Sequence, residues 1–305
     1  MNDNDFDTLC ARLTQAVPNL ELRRDEPMSR HTTFKVGGPA RLMALPEMEE
    51  EVITAVRLAR ELGIEPLFVG NGSDLLVDDK GLEAFVIKTV PGLSWWRAEG
   101  TRIEAGCGLL LSSLAVEAAR HSLTGLEFAH GIPGSLGGAV IMNAGAYGGE
   151  LCQVVRSVRT LEPDGRVEEI PAEACDFRYR HSAFSDGGRL VLSARLELER
   201  GDAEAIRAKM SDLMARRREK QPLEYPSAGS TFKRPQGHYA AALIDQCGLK
   251  GLAIGGAQVS TKHAGFIVNT GMATCRDILD LMGVVRDCVY RVTGVELEPE
   301  VKYLK

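Results

Sequence analysis

The chain has 305 residues, more than one ordinary domain needs, so two or three domains are expected. Its 36 basic and 42 acidic residues give a net charge of −6, which argues against nucleic acid as the main partner. The seven cysteines are scattered and include no C-x-x-C pair, which argues against a metal centre and a disulfide framework. The N-terminus is acidic, which argues against a signal peptide. No apolar run reaches about 20 residues, which argues against a membrane helix. We therefore expect a metal-free cytoplasmic protein.

The first part of the chain alternates helix and strand. A helix is predicted over 47–62, because apolar side chains recur on one face. Short apolar strands follow at 66–69 and 85–87. A strand at 101–105 leads into a second helix over 112–120.

The middle of the chain changes character. Residues 131–149 are dense in Gly, Ala and Ser, carry no charge and show no helical period, so they fit neither a helix, a plain strand nor a linker. Strands at 154–161 and 167–170 flank a Pro-Asp-Gly turn and predict a hairpin. A further strand at 190–198 has alternate apolar residues, which predicts one buried face.

The last part of the chain predicts two amphipathic helices and a final strand. The first helix covers 202–219, with Asp202 as its N-cap, and the second covers 276–292. A closing strand is predicted over 295–303. The fold class is therefore α+β in two or three units.

Two glycine-rich segments are candidate binding loops. The first, 70–74, follows a strand, where main-chain N–H groups can form a nest for an anion. It is neither a P-loop nor a Rossmann fingerprint, and a plain turn is the alternative. The second, 131–138, continues into 143–148 and brings small residues where a planar cofactor could pack, although tight turn packing explains it equally well. Together they favour a large cofactor with a diphosphate.

Five motifs in this order resemble the UDP-N-acetylenolpyruvoylglucosamine reductase family, which acts in bacterial cell-wall synthesis. They are Gly70–Leu76, Gly131–Gly138, Asn143–Gly148, Tyr179–Ser182 and Pro226–Lys233. The similarity runs from about Thr32 to the C-terminus. Because only a short stretch joins Leu198 to Asp202, the chain resembles the form that lacks an extra tyrosine-bearing loop.

The resemblance implies a fold and its ligands. The fold is a two-part FAD-binding fold of the vanillyl-alcohol-oxidase type, with subdomains at 1–95 and 96–201, followed by a smaller α+β substrate domain at 202–305. FAD is bound non-covalently, NADPH donates the hydride, UDP-N-acetylglucosamine enolpyruvate is the substrate, and the protein is a monomer. The residues implied for FAD are Gly70, Asn71, Gly72, Ser73, Asp74, Ile132, Pro133, Gly134, Ser135, Gly138, Asn143, Gly145, Ala146 and Tyr147.

The resemblance also implies three catalytic residues. Hydride addition to the enolpyruvyl methylene carbon builds negative charge on the neighbouring carboxylate, and the guanidinium of Arg180 suits that charge. Ser230 is the implied proton donor to the adjacent carbon, with Lys220 or Lys233 to offset the charge left behind. Glu300 must be protonated, or must orient Arg180 or a water molecule, because a free carboxylate would repel the developing anion.

The substrate side needs local positive charge. The family positions implied near the UDP-sugar are Tyr179, Lys220, Arg234 and Lys250. The arginine run 216–218 allows two interpretations, since cations at a helix C-terminus also interact favourably with the helix dipole.

Two other functions fit parts of the pattern. An oxidase of the same flavin fold would need a base for a hydroxyl proton and could attach FAD through a histidine, for which His130 is the candidate at the border of the second segment. A non-catalytic protein that binds nucleotide sugars would need no flavin at all.

Overall fold

The computed structural model describes residues 3–305. Met1 and Asn2, part of the acidic N-terminus considered above, lie outside the described residues. The helices are α1 Asp3–Ala16, α2 Glu49–Glu61, α3 Leu111–Arg120, α4 Leu136–Ile141, α5 Ala203–Lys220, α6 Ala240–Gln246 and α7 Cys275–Thr293. The strands are β1 Glu21–Pro27, β2 Pro39–Leu45, β3 Leu67–Val69, β4 Leu75–Val77, β5 Leu82–Lys88, β6 Trp96–Glu99, β7 Arg102–Gly106, β8 Leu123–Thr124, β9 Gly145–Ala146, β10 Gly149–Glu150, β11 Val155–Leu161, β12 Val167–Pro171, β13 Leu190–Glu197, β14 Glu199–Arg200, β15 Ala253–Ile254, β16 Ala257–Val259, β17 Ile267–Asn269 and β18 Lys302–Leu304.

The chain divides into two compact units, each with its own apolar core. The first unit comprises the residues up to Arg24 together with Leu42–Asn71 and Ala84–Ala215. The second comprises Asp25–Arg41, Gly72–Glu83 and Arg216–Lys305. The division into 1–95, 96–201 and 202–305 stays a prediction.

A five-stranded antiparallel sheet forms the centre of the first unit, in the order β12-β11-β13-β7-β6. β13 lies in the middle of this sheet, and α4 packs on it. The predicted apolar face of β13 is confirmed, since its alternate apolar residues are all buried. On the opposite face Val191 and Ser193 are buried as well, while Arg195 stays exposed. The first half of this central strand is therefore covered on both sides, as is common for strands inside a sheet.

A second sheet, in the order β1-β2-β5-β3, contains the parallel pair β3 and β5. In this pair Val69 lies opposite Lys88, and the Thr89 N–H donates to the Val69 carbonyl at 2.9 Å. Parallel strands end at the same edge of a sheet. The turn that starts at Gly70 therefore leaves the sheet beside Lys88.

The second unit packs α7 against the small sheet β15-β16-β17. The start of α7 is capped by Thr274, whose Oγ1 accepts the Asp277 N–H at 3.0 Å, and by Asp79, whose carboxylate accepts the Cys275 N–H at 2.8 Å. These side chains satisfy N–H groups that have no partner inside the helix. Gly294 ends the helix in the left-handed conformation (φ 71°).

The structure confirms most predicted elements, adds several that were not predicted and shortens one. Four predicted helices are present within a few residues, namely those over 47–62, 112–120, 202–219 and 276–292. The strands predicted before residue 202 are present as well. α1, β1 and β2 were missed, α4 lies inside the segment that showed no helical period, and the closing strand is only β18. Residues 295–301 alternate in polarity, but only Pro299 makes a bridge, to Phe232, before β18 pairs with β4.

Within residues 3–305, no helix combines the length and the apolar character that a membrane span requires. The same residues contain no cluster of three or more His, Cys, Asp or Glu side chains that could hold a metal ion.

Candidate functional site

The two glycine-rich segments meet in the first unit. The Asn71 side-chain Nδ2 donates to the Pro133 carbonyl at 2.6 Å. A Cβ on Gly70 would lie only 2.2 Å from the Ser135 Oγ, so the main chain of the first turn lies directly against the second segment. Segments that the sequence separates by some sixty residues therefore contact each other at the end of the β3–β5 pair.

The second segment is held rigidly where the first contacts it. The Leu111 N–H donates to the Gly134 carbonyl at 2.9 Å, and the Leu136 N–H donates to the Leu109 carbonyl at 2.8 Å. Ser135 is 2% exposed, and its Oγ caps α4 by accepting the Gly138 N–H at 3.4 Å. This N-cap, together with the burial of Leu136, explains a helix in a segment of low helix propensity.

Replacing Gly70 by alanine is expected to force the Ser135 side chain out of its capping position. Loss of an N-cap removes about 1 kcal/mol of unfolding free energy, and displacement of the turn is expected to weaken the FAD binding that the family motifs imply. Adding Ser135→Gly removes the obstructing Oγ and is expected to recover most of both losses, since glycine is a tolerable N-cap. Chemical denaturation and flavin titration of the two single variants and the double variant form a double-mutant cycle. Additive losses in this cycle would contradict the contact.

The rest of the first loop belongs to the second unit. Gly72 has a positive φ of 63°, and a Cβ there would lie 2.0 Å from the His31 main-chain carbonyl oxygen. The Gly72 carbonyl accepts the Thr33 N–H at 3.1 Å, and the Asp74 carbonyl accepts the Lys302 N–H at 2.9 Å. Only glycine fits at position 72, because the obstacle is main chain that cannot rotate away.

The end of the second segment forms a tight hairpin. Ala146 pairs with Gly149, and Tyr147 and Gly148 between them both have positive φ (53° and 85°). This is the backbone of a type I′ turn, which presents Tyr147 at its tip with 46% of its surface exposed. A non-glycine residue in this conformation is uncommon, and such residues concentrate at binding sites.

Asn143 connects this hairpin to the turn that carries Arg180. It is buried, with a φ of 39°. Its Nδ2 donates to the Arg178 carbonyl at 3.2 Å and to Glu150, while its Oδ1 accepts the Cys152 N–H at 2.9 Å. The Asn143 amide thus holds two loops of the first unit together. Whether Asn143 also contacts FAD stays a prediction.

Arg180 occupies the tip of a two-residue turn in the first unit. Arg178 and His181 bridge each other through their main chains, and Arg180 has a positive φ of 52°. The Arg180 guanidinium lies 5.1 Å from the Tyr179 ring centroid. The Ser182 Oγ anchors the segment by donating to the Ile141 carbonyl at 2.8 Å. Arg180 is therefore half-buried on a turn that is tied to the end of α4.

Ser230 and Glu300 come together in the second unit. The Glu300 N–H donates to the Thr231 carbonyl at 2.9 Å, in a short antiparallel pairing around the bridge between Phe232 and Pro299. Thr231 is buried and is itself hydrogen-bonded to Gly265 and Ile267, so the main chain of this pairing is held in place. Ser230 is exposed and Glu300 is half-buried at the edge of it.

The predicted substrate residues lie on different elements. Lys220 is exposed at the end of α5, and Tyr179 is exposed beside Arg180. The Lys250 Nζ donates to Asp245 at 2.8 Å, and the Arg234 guanidinium lies 4.0 Å over the Tyr239 ring. Lys233 forms an ion pair with Glu298. Of the two lysines predicted to act with Ser230, Lys233 is therefore engaged by an acidic side chain.

Lys88 is a buried cation beside the first glycine turn that was not among the predicted site residues. The predicted strand over 85–87 stopped one residue short of it, yet Lys88 is only 8% exposed and its Nζ donates to the Gly70 carbonyl at 2.9 Å. Burial lowers the pKa of Lys88 to about 8. The available signal was a lysine directly after three apolar strand residues and before Thr89 and Val90, a poor setting for a surface cation.

The first unit fits a dinucleotide cofactor on two observations. A Cβ at Gly70 would collide with the Ser135 Oγ, so only glycine lets the two segments approach so closely, and the same turn is bonded to a buried ammonium. Glycine turns allow close approach of a diphosphate, and a buried cation favours an anion. The turn residues Gly70 and Asn71 and the segment around Ser135 would hold such a group.

Comparison with known proteins gives a consistent identification. Residues 221–304 match the family model "UDP-N-acetylenolpyruvoylglucosamine reductase, C-terminal domain", and residues 40–171 match the model "FAD binding domain". UDP-N-acetylenolpyruvoylglucosamine reductase of Clostridioides difficile is 45% identical over 304 residues, covering 100% of this chain and 99% of that protein. The Syntrophomonas wolfei protein of the same name is 48% identical over 94% of this chain and 96% of its own length.

Among solved structures, the UDP-N-acetylenolpyruvylglucosamine reductase of Thermus caldophilus is similar, with a TM-score of 0.81. It is 36% identical, and the match covers 94% of this chain and 99% of that chain.

Proposed function

Because this chain belongs to the UDP-N-acetylenolpyruvoylglucosamine reductase family, we propose that it reduces UDP-N-acetylglucosamine enolpyruvate to UDP-N-acetylmuramate with NADPH and FAD. This step belongs to peptidoglycan precursor synthesis. The observation that carries the proposal is identity of 45% or more over nearly the full length of relatives with one and the same name. The predicted fold, an FAD-binding fold followed by a smaller α+β substrate domain, is confirmed by the two family models and the Thermus caldophilus structure.

FAD, when bound, supplies a hydride that it has received from NADPH to the methylene carbon of the enolpyruvyl group. We assign Arg180 to the carboxylate of that group, where charge accumulates as the carbon–carbon double bond is reduced. A guanidinium stays protonated and donates through a planar fork, so it can stabilise the enolate oxygens throughout the reaction. The turn at Arg178–His181, anchored through Asn143 and Ser182, supports this assignment because it restricts the position of Arg180.

We assign the second step to Ser230 and Glu300. The Ser230 hydroxyl donates its proton to the carbon next to the carboxylate, which completes the lactyl ether. Ser230 is exposed, and it precedes the buried Thr231, which is hydrogen-bonded to Ile267. This supports the role, since the hydroxyl is accessible while the adjacent main chain is held in place. Glu300 acts in its protonated form or by orienting Arg180 or a water molecule. Lys220 is the lysine that offsets the charge on Ser230.

Flavin spectroscopy tests the proposed function. The purified protein is expected to be yellow, to lose its visible absorbance on anaerobic addition of NADPH, and to regain it when the enolpyruvyl substrate follows. Product analysis should then show UDP-N-acetylmuramate in a one-to-one ratio with NADPH consumed. A protein that consumes oxygen with a hydroxy acid and leaves the enol ether intact would instead be an oxidase. A colourless protein that binds UDP-sugars, even after incubation with free FAD, would be a binding protein.

Several finer assignments belong to the same proposal. They are a cytoplasmic location, a monomeric state, the form without the extra tyrosine-bearing loop, and domain boundaries after residues 95 and 201. The FAD contacts proposed for the two glycine-rich segments and the substrate contacts of Tyr179, Lys220, Arg234 and Lys250 rest on the family motifs.

A further inference from the structure

Lys88 is a buried lysine at the edge of the first glycine turn. It ends β5, beside Val69 of the parallel strand β3, and its ammonium donates to the carbonyl of Gly70, where the turn begins. That bond is the only one the ammonium makes within residues 3–305, although a lysine ammonium has three N–H donors. Lys88 thus has donor capacity left over at the place where the two glycine-rich segments meet.

The positive charge of Lys88 is not balanced by the protein. No ion pair to Lys88 occurs among residues 3–305, and burial alone, without any neighbouring charge, accounts for its lowered pKa. Strand β3, residues 42–45 of the neighbouring strand β2, the turn residues Gly70 and Asn71, and α4 carry no titratable side chain. The acid further along the turn, Asp74, belongs to the second unit and contributes nothing to the pKa of Lys88. A buried charge without a partner is costly, so its retention indicates an anion that arrives with a ligand.

Two titratable groups lie around Thr89, the residue after Lys88, and neither fills that role. Cys107 is within hydrogen-bonding reach of the Thr89 side chain, but burial raises the pKa of the Cys107 thiol to about 12, so the thiol stays neutral. Glu49 is held by the Arg159 guanidinium in two hydrogen bonds of 2.8 and 3.0 Å. Neither group supplies a negative charge for Lys88.

We propose that the Lys88 ammonium is the buried counter-charge for the diphosphate of FAD and that it positions the Gly70 turn through the carbonyl bond. The inference rests on the flavin of the proposed function, and it adds a residue outside the glycine motifs. Lys88 balances the dianion electrostatically while the glycine main chain makes room for it. FAD binding and the protonation of Lys88 are then linked.

The linkage has a definite sign. In the flavin-free protein the pKa of Lys88 is lowered from 10.5 to about 8, and a bound dianion raises it again because it favours the charged form. At pH 7 and below the ammonium is protonated with or without FAD, so the affinity is nearly constant there. Above pH 8 binding must take up a proton, so the affinity falls as the pH rises.

The parent protein provides the first test. FAD added to flavin-free full-length protein is expected to bind about tenfold more weakly at pH 9 than at pH 7, because a group with a pKa of about 8 has lost about nine-tenths of its protons at pH 9. Isothermal titration at pH 9 in two buffers of different ionisation enthalpy should show an uptake of about 0.9 proton per FAD. A flat affinity profile without proton uptake would overturn the role of Lys88.

Three variants separate charge from structure. Lys88→Met should bind FAD more weakly at pH 7 and change less than about twofold up to pH 9, since the titrating group is gone. Lys88→Arg keeps the charge over this range and should also give a flat profile, but with stronger binding than Lys88→Met. Lys80→Met removes an exposed lysine and should reproduce the tenfold change of the parent. A tenfold change that survives in Lys88→Met would mean that Lys88 only supports the fold.

The outcomes distinguish this inference from the proposed function. FAD binding with a flat profile in the parent protein overturns the role of Lys88 and leaves the flavoprotein assignment intact. Absence of any FAD binding by the parent protein overturns both. If Lys88→Met does not fold, the proton uptake of the parent protein and the profile of Lys88→Arg still decide the question.

Discussion

Replacing Ser230 by alanine is expected to slow flavin reoxidation by the enolpyruvyl substrate about 10²- to 10⁴-fold while leaving flavin reduction by NADPH near the parent rate. Without a proton donor, the enolate formed by hydride addition returns the hydride instead of going on to product. Reduction by NADPH needs no proton from Ser230, so it should be spared. Rapid-mixing spectroscopy of the two half-reactions separates the effects.

The surroundings of Ser230 make this substitution a clean one. The side chain is exposed, and the neighbouring pairing depends on Thr231 and on main-chain bonds that alanine preserves. Ser227→Ala is the matched control, because it removes a hydroxyl three residues away in the same loop and should leave both half-reactions unchanged. Reoxidation of Ser230→Ala at the parent rate would show that Ser230 is not the acid.

Replacing Arg180 by methionine is expected to slow the same half-reaction about 10²- to 10³-fold, the usual effect of losing one donor to a developing oxyanion. Because the guanidinium would act on charge that appears during the reaction, the rate at saturating substrate should fall more than the substrate affinity does. Arg180→Lys should recover only part of the loss, since an ammonium lacks the planar fork. Single-turnover reoxidation over a range of substrate concentrations measures both quantities.

Arg178→Met is the matched control for Arg180. Arg178 belongs to the same turn, is exposed, and pairs with Asp176 at 2.6 Å. Both substitutions remove a guanidinium from the turn, and methionine at position 180 faces the same positive φ as arginine does. Equal losses in the two variants would point to a general effect of charge or of the turn and would contradict a specific role for Arg180.

The amino-acid sequence by itself determined the elements that depend on local pattern. The periodic apolar residues of α2, α5 and α7 predicted helices whose ends lie within a few residues of those in the structure. The spacing of two apolar runs around a Pro-Asp-Gly turn predicted the hairpin of β11 and β12, whose register the structure shows. The glycine motifs were also visible, because a motif is a property of neighbouring residues, while Arg180, Ser230 and Glu300 were implied by the family resemblance and stay a prediction.

Only the tertiary structure decided which distant residues meet. α4 forms in a glycine-rich segment because Ser135 caps it and Leu136 is buried, neither of which a helical period can reveal. The closing strand β18 is short because a strand extends only as far as its partner pairs with it, and β4 pairs over three residues. Lysine is usually a surface residue, and Lys88 is a buried cation because β5 pairs with β3 in the folded chain. Local patterns report the preference of a segment, whereas burial and charge balance depend on contacts between segments far apart in the chain.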